Sequence, residues 1–215
     1  MQKFAVYCHG SLAPLNCARA LQTVLQTQYN TDIIGYGDLV PDTLSKYSCI
    51  AFPGGSGDVD AFDKQLKDKT QIVQDYISKG GSYLGICMGA YITGQRYFDL
   101  LGAFDARQYI KRKNADVIRS YCTTTNITWH NNIERIYFFD GAAFTGNVPD
   151  SSIVATYTNG DCAAMCVQYK KGKVLVYGPH PESLKNWYTK KYMKPHWHNE
   201  KHHQMLLQDI KQYLM

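Results

Sequence analysis

Two short segments combine residue types that do covalent chemistry. Gly85-Ile86-Cys87-Met88-Gly89-Ala90 sets a thiol between two glycines, after a strand-like run, Ser82 to Ile86, and before a helix expected from Ala90 onward. In the G-x-C-x-G pattern the nucleophile occupies a turn so sharp that side chains two positions to either side would clash. Such a turn lifts the thiol above the sheet edge and aims a helix N-terminus at it, which favours the thiolate. A buried structural cysteine beside a Gly-rich turn is the plainer alternative, and the strand–turn–helix context is what separates the two. The second segment, Gly178-Pro179-His180-Pro181-Glu182, closes the run Val174 to Tyr177. A cysteine nucleophile needs a base within hydrogen-bond reach and a group that orients the base. His180 and Glu182, at i and i+2, can supply both, and the proline between them restricts the backbone. A lone histidine after a strand is usually without function, but strand ends are where α/β folds gather active residues.

A third segment, Phe52-Pro53-Gly54-Gly55, follows another strand-like run. Its glycines, Gly54 and Gly55, let a backbone N–H approach a substrate beside the N–H that follows the nucleophile, that of Met88. Together these would form an oxyanion hole. Alone, the segment would be an ordinary Gly-rich turn. It is not a P-loop, because no Lys-Ser/Thr follows Gly54-Gly55-Ser56-Gly57.

The elements that must position these residues alternate between strand and helix in the first half, which predicts a parallel sheet flanked by helices. Strands are expected at 3–8, 31–35, 47–52 and 82–86, with helices over 14–28 and 60–79. The stretch 100–135, with Arg107, Lys111, Arg112, Lys113 and Thr123-Thr124-Thr125, reads as irregular or hairpin structure. Short strands resume at 136–139, 153–157, 162–169 and 173–178, the last two joined by a hairpin turn at Lys170 to Lys173. An amphipathic helix over 200–214 carries Leu206, Ile210 and Leu214. No repeat or linker interrupts the chain, so one domain over 1–215 is expected.

Composition narrows the function classes. A chain of 215 residues, 45% hydrophobic and 19% charged, can bury a core and is not of the disordered type. Lys and Arg number 23 against 18 Asp and Glu, a mild excess that falls short of a nucleic-acid-binding stripe. Apolar runs are strand-sized, so no membrane association is expected. Seven scattered cysteines without a C-x-x-C pair point to reduced thiols and a cytoplasmic setting.

In this order, each at a strand end, the three segments resemble the class I glutamine amidotransferase superfamily. Cys87, His180, Glu182 and Gly54-Gly55 stand where that family carries its triad and its oxyanion turn. The likeness is nearest to the N-terminal domain of eukaryotic biotin-protein ligases and its stand-alone homologues. It rests on Phe52 to Gly55, Gly85 to Tyr91, Tyr137-Phe138-Phe139-Asp140-Gly141-Ala142-Ala143-Phe144, Ala155-Thr156-Tyr157, and Gly172 to Glu182. It covers most of residues 3–183. The resemblance implies a flavodoxin-like, three-layer α/β sandwich, mainly parallel with an antiparallel extension. It also implies catalysis by Cys87, His180 and Glu182, and a substrate pocket that includes Tyr91, Asp140 and Gly141. Two departures qualify it. Amidotransferase elbows continue Gly-x-Gln, and that Gln helps hold substrate glutamine, whereas Ala90-Tyr91 stands here. No Gly-Arg-Gly-x-x-Gly adenylate loop is present, so biotin-ligase chemistry is not implied.

The expectation is a thiol hydrolase or amidotransferase-like enzyme acting on a small amide without a cofactor, in which a synthase or ligase could be a partner. The rival is a catalytically silent binding or regulatory module of the same fold. Weaker signals remain. His198 and His202 have the i, i+4 spacing of metal ligands on a helix, but no further ligand completes the set, and no metal is expected. Cys162 and Cys166 fall on one face of a strand and read as core. The basic residues from Arg107 to Arg119 read as a solvated rim that, near a pocket, could attract a carboxylate or phosphate.

Overall fold

The computed structural model of the chain describes residues 2–10, 12–55, 57–198 and 200–215. The first strand, β1 (Lys3–Tyr7), is followed by helix α1 (Leu12–Leu25), whose Ala18, Leu21, Val24 and Leu25 recur at helical spacing and are buried against the sheet. Then come β2 (Asn30–Ile34), the short α2 (Pro41–Leu44) and β3 (Cys49–Phe52), every residue of which is buried. Helices α3 (Val59–Leu66) and α4 (Thr70–Ser78) lead to β4 (Ser82–Ile86), also buried throughout, as a strand covered on both faces must be. These strands and the later β11 (Gly172–Tyr177) pair in parallel in the order β2-β1-β3-β4-β11.

An antiparallel extension continues from β11. It comprises β10 (Cys162–Tyr169), β9 (Ile153–Tyr157), β6 (Thr123–Trp129) and β7 (Asn132–Phe138), while β5 (Asp105–Gln108) pairs with β8 (Ala142–Thr145) off the main path. The expected β10–β11 hairpin is present. On one face, α1 and the C-terminal α6 (Lys201–Asp209) cover a core that includes Phe4, Leu84 and Trp129; on the other, α3 and α4 cover one that includes Phe52, Tyr83 and Val176. This is a three-layer α/β sandwich.

Several elements differ from their sequence expectation. The helix expected over 60–79 is interrupted by a 3-10 turn at Lys67–Lys69, a polar run with nothing to bury whose Asp68 accepts from the Tyr36 hydroxyl. Of the two readings open for the Thr-rich stretch the hairpin is the one present: strand β6 is joined to β7 by His130 and Asn131, both at positive φ, as a tight two-residue hairpin requires. Strand β7 starts at Asn132 rather than 136 because its hydrophobic alternation is inverted: Ile133 is 79% exposed while Glu134 is buried. Cys162 and Cys166 do not share a face. The pairing of β10 with β9 slips between Cys162 and Met165, so that Cys162 packs into one core and Cys166 against the other.

Candidate active site

Cys87 sits between β4 and the short helix α5 (Met88–Tyr91), with φ 51° and ψ −103°, a left-handed conformation that a non-glycine residue adopts only under constraint. The constraint is visible in its neighbours. A Cβ on Gly89 would lie 1.9 Å from the Phe52 carbonyl oxygen, and one on Gly85 would lie 2.5 Å from the carbonyl oxygen of Gly89. The Cys87 amide donates to the Tyr177 carbonyl (2.8 Å), which binds the elbow to the strand that delivers His180. The helix is shorter than expected and begins two residues earlier, at Met88. It ends after one turn, where the Thr93 hydroxyl donates to the Ala90 carbonyl (2.6 Å). One turn provides little macrodipole, so activation of the thiol falls to the neighbouring side chains.

The first of these neighbours is His180. Its Nδ1 lies 2.8 Å from Glu182 Oε1, and both side chains are buried. The His180 amide donates to the Tyr137 carbonyl (3.0 Å), and the rings of Tyr137 and Trp187 meet the imidazole edge-on at centroid distances of 5.6 and 5.7 Å. The Cys87 sulfur acts on the ring both as a hydrogen-bond partner and as a charge. Burial opposes protonation of His180, but the charges of Glu182 and Cys87 and their hydrogen bonds outweigh it, raising the imidazole to about 10.

Gly54 makes room for this ring, since a Cβ there would lie 2.5 Å from His180 Cε1. Gly55, in contact with Met88, lines a cleft of about 830 Å³ together with Cys87, Met88, Tyr91, Phe139 and Asp140. The Cys87 sulfur points to the Phe139 carbonyl (3.5 Å). Tyr91 donates its hydroxyl to the main-chain carbonyl of Asp140 (3.0 Å), and the Asp140 carboxylate accepts from Gln108 and Ser120. Gly141 does not line the cleft. Its role is close packing, because a Cβ there would lie 2.3 Å from the Gly178 carbonyl oxygen.

Gln108, Ser120 and Trp187 were not foreseen, and isolated polar or aromatic residues outside a recognisable motif give no signal of their own. Cys17 is a further neighbour: burial first, then the charges of Glu182 and Cys87, push its thiol well above the ordinary range. The C-terminal histidines are not arranged as expected. His198 precedes α6 and so shares no helix face with His202, which pairs with Glu134, while His203 meets the Ser183 carbonyl. Among the described residues no group of three or more His, Cys, Asp or Glu side chains could hold a metal ion. No helix among them is long and apolar enough to cross a membrane.

These features define a class. The chain has the fold of class I glutamine amidotransferase-like proteins, as the following similarities show. A glutamine amidotransferase from Thermotoga maritima superposes with a TM-score of 0.57 over 98% of this chain and 83% of its own, at 15% identity. A cytoplasmic protein from Salmonella typhimurium LT2 does so with 0.63 over the whole of both chains, at 13% identity. A GH42 β-galactosidase from G. stearothermophilus matches with 0.58 over 99% of this chain but 30% of its own, at 9% identity. No curated protein matches the sequence. More particularly, residues 9–100 match the family described as biotin-protein ligase, N terminal. The likeness read from the sequence is thereby shown, on a segment that contains the Phe52 to Gly55 turn and the Cys87 elbow; His180 and Glu182 lie beyond it.

Proposed function

We propose that the protein is a cysteine-dependent amidase or amidotransferase-like hydrolase acting on a small amide. The observation that carries this reading is a buried His180, oriented by Glu182 at 2.8 Å and set beside a thiol held on a strained elbow at a cleft. In the proposed reaction the Cys87 sulfur attacks the amide carbonyl, and the N–H groups of Gly55 and Met88 receive the developing oxyanion. As the C–N bond breaks, the nitrogen leaves with a proton from His180 Nε2, and a thioester remains. Water then attacks the thioester, giving a proton to His180 as the C–S bond breaks, and the acid is released. Glu182 holds the ring with Nδ1 protonated throughout, and no organic cofactor takes part. A synthase or ligase that consumes the released amine is the partner class such chemistry would serve.

Free glutamine is expected to be a poor substrate, because Tyr91 stands where amidotransferases place the Gln that contacts it. Its hydroxyl is already engaged with Asp140. The test is ammonia release from glutamine and from a panel of small amides, by wild type and by Cys87→Ala. Cys87-dependent release from an amide other than glutamine supports the proposal. Robust release from glutamine would contradict the pocket reading while supporting the triad. No release from any amide, with an unreactive Cys87, would favour a silent module.

A further inference from the structure

The cleft in front of Cys87 carries charges whose balance is visible only once their partners are assigned. Five charged residues line it: Asp58, Arg107, Lys111, Arg112 and Asp140. Arg107 is paired with Asp105 (2.8 Å), and Arg112 holds Asp161 through two hydrogen bonds of 2.8 and 3.1 Å. These two cations are each paired with a carboxylate outside the lining of the cleft. Behind the thiol, the charge of His180 is offset by Glu182. Two carboxylates, Asp58 and Asp140, therefore face one ammonium, Lys111, and none of the three takes part in an ion pair among the described residues.

Asp140 is the better placed of the two carboxylates. It follows Phe139, whose carbonyl lies 3.5 Å from the Cys87 sulfur. Its backbone is held at φ 48°, and its main-chain carbonyl is tied to Tyr91. Both carboxylate oxygens accept from Gln108 Nε2 (3.2 and 3.0 Å), and one also accepts from Ser120 Oγ (3.0 Å). These donors are all neutral, so they orient the group without cancelling its charge. A non-glycine residue held at positive φ beside a nucleophile is the kind of strain that persists where a side chain must be presented in one place.

We infer that Asp140 is a specificity-determining residue for a cationic substrate: the amide attacked by Cys87 carries an ammonium or guanidinium group that meets this carboxylate. The inference rests on the reading of Cys87 as the nucleophile and adds the substrate's charge. It runs against the alternative that the basic residues near the cleft draw in a carboxylate or phosphate, since two of them are already paired.

The test uses three methanethiosulfonates of similar size, with a trimethylammonium, a neutral or a sulfonate tail. Each transfers its thioalkyl group to a thiolate, forming a disulfide and releasing methanesulfinate. Rates at Cys87 are read by peptide mass spectrometry and divided by the rates of the same reagents with a simple thiol in solution. For wild type the cationic reagent should exceed the anionic one by about tenfold, the scale of one charge acting across several ångströms at a protein surface. In Asp140→Asn, which keeps a side-chain acceptor but loses the charge, the ratio should fall to within about twofold, and Asp140→Glu should restore it. A wild-type ratio near one, or a ratio that Asp140→Asn leaves unchanged, overturns the inference while leaving the nucleophile intact. The wild-type measurement decides even if the variants do not fold. Should Cys87 outpace the other thiols with none of the reagents, the nucleophile reading fails and this inference with it.

Discussion

Two buried histidine–glutamate pairs lie among the described residues, and their imidazole pKa values move in opposite directions. His180 meets Glu182 at 2.8 Å beneath the thiol, while His202 on α6 meets Glu134 of β7 at 3.3 Å. Burial is the largest influence on both rings and opposes the charged form in each. His202 yields to it and is lowered to about 4, although Glu134 pulls the other way. His180 is raised to about 10. The difference lies in the company each carboxylate keeps. Glu134 also accepts from Lys201, and Lys201 and His198 both repel a proton from His202. Among the described residues Glu182 pairs with no cation but His180, its second oxygen has no hydrogen-bond partner, and the Cys87 sulfur adds to its pull. Burial alone does not decide whether a histidine is charged; the competition for its carboxylate does. One pair lies beneath the Cys87 thiol, and the other ties the last helix to the edge of the sheet.

The comparison breaks most visibly if each carboxylate is neutralised in turn. Glu182→Gln should lower Cys87-dependent turnover, and with it the alkylation rate of Cys87, by about a hundredfold or more, the scale seen when the orienting acid of a triad loses its charge. Glu134→Gln should leave both within about twofold, because its histidine touches neither the thiol nor the cleft. Equal effects from the two variants would mean that Glu182 is only structural.

A smaller effect concerns stability against pH, and the two pairs should act on opposite limbs. His180 binds its proton more tightly folded than unfolded, so its contribution is complete below pH 6.5 and is lost as pH rises toward about 10. His202 is depressed, so its contribution is present above pH 6.5 and is lost as pH falls toward about 4. Thermal melts should show Glu182→Gln flattening the alkaline limb and His202→Phe flattening the acid limb, each by a few degrees, roughly what 1 kcal/mol moves a domain of this size. The smallest effect is expected at the cleft wall. Tyr91→Phe removes one hydrogen bond to Asp140 and should cost about 1 kcal/mol in denaturant unfolding, with Cys87 labelling changed less than threefold.

The segments that carry Cys87, His180 and Glu182 could be read from the sequence; the His202–Glu134 pair could not. Cys87, His180 and Glu182 sit at strand ends in short segments whose glycines and prolines announce a sharp turn, so local chemistry sufficed to find them. Gly54 was singled out for its backbone N–H, and its close approach to His180, 126 residues on, left no local mark. Gly141 stood in a recognisable segment, but its close approach to Gly178 spans 37 residues of chain and leaves no local mark. The His202–Glu134 pair was hidden because Glu134 is a charged residue on the buried face of β7, with Ile133 turned to solvent. The same inversion concealed the start of that strand. Likewise, the slip in β10 that separates Cys162 from Cys166 depends on how β9 pairs with it, which strand periodicity does not express. The pairing of Arg112 with Asp161 was hidden for a similar reason, since the two are 49 residues apart.

The central claim is that Cys87 is a nucleophile activated by a protonated His180. Its most direct test is the alkylation rate of each of the seven cysteines by iodoacetamide at pH 6.5 to 7, resolved by peptide mass spectrometry, in wild type and in His180→Ala. The account predicts that Cys87 reacts at least about tenfold faster than any other thiol, including the less buried Cys8 and Cys122, and that His180→Ala removes this advantage. Labelling of Cys87 no faster than that of Cys8 or Cys122, or an advantage that survives His180→Ala, would contradict it.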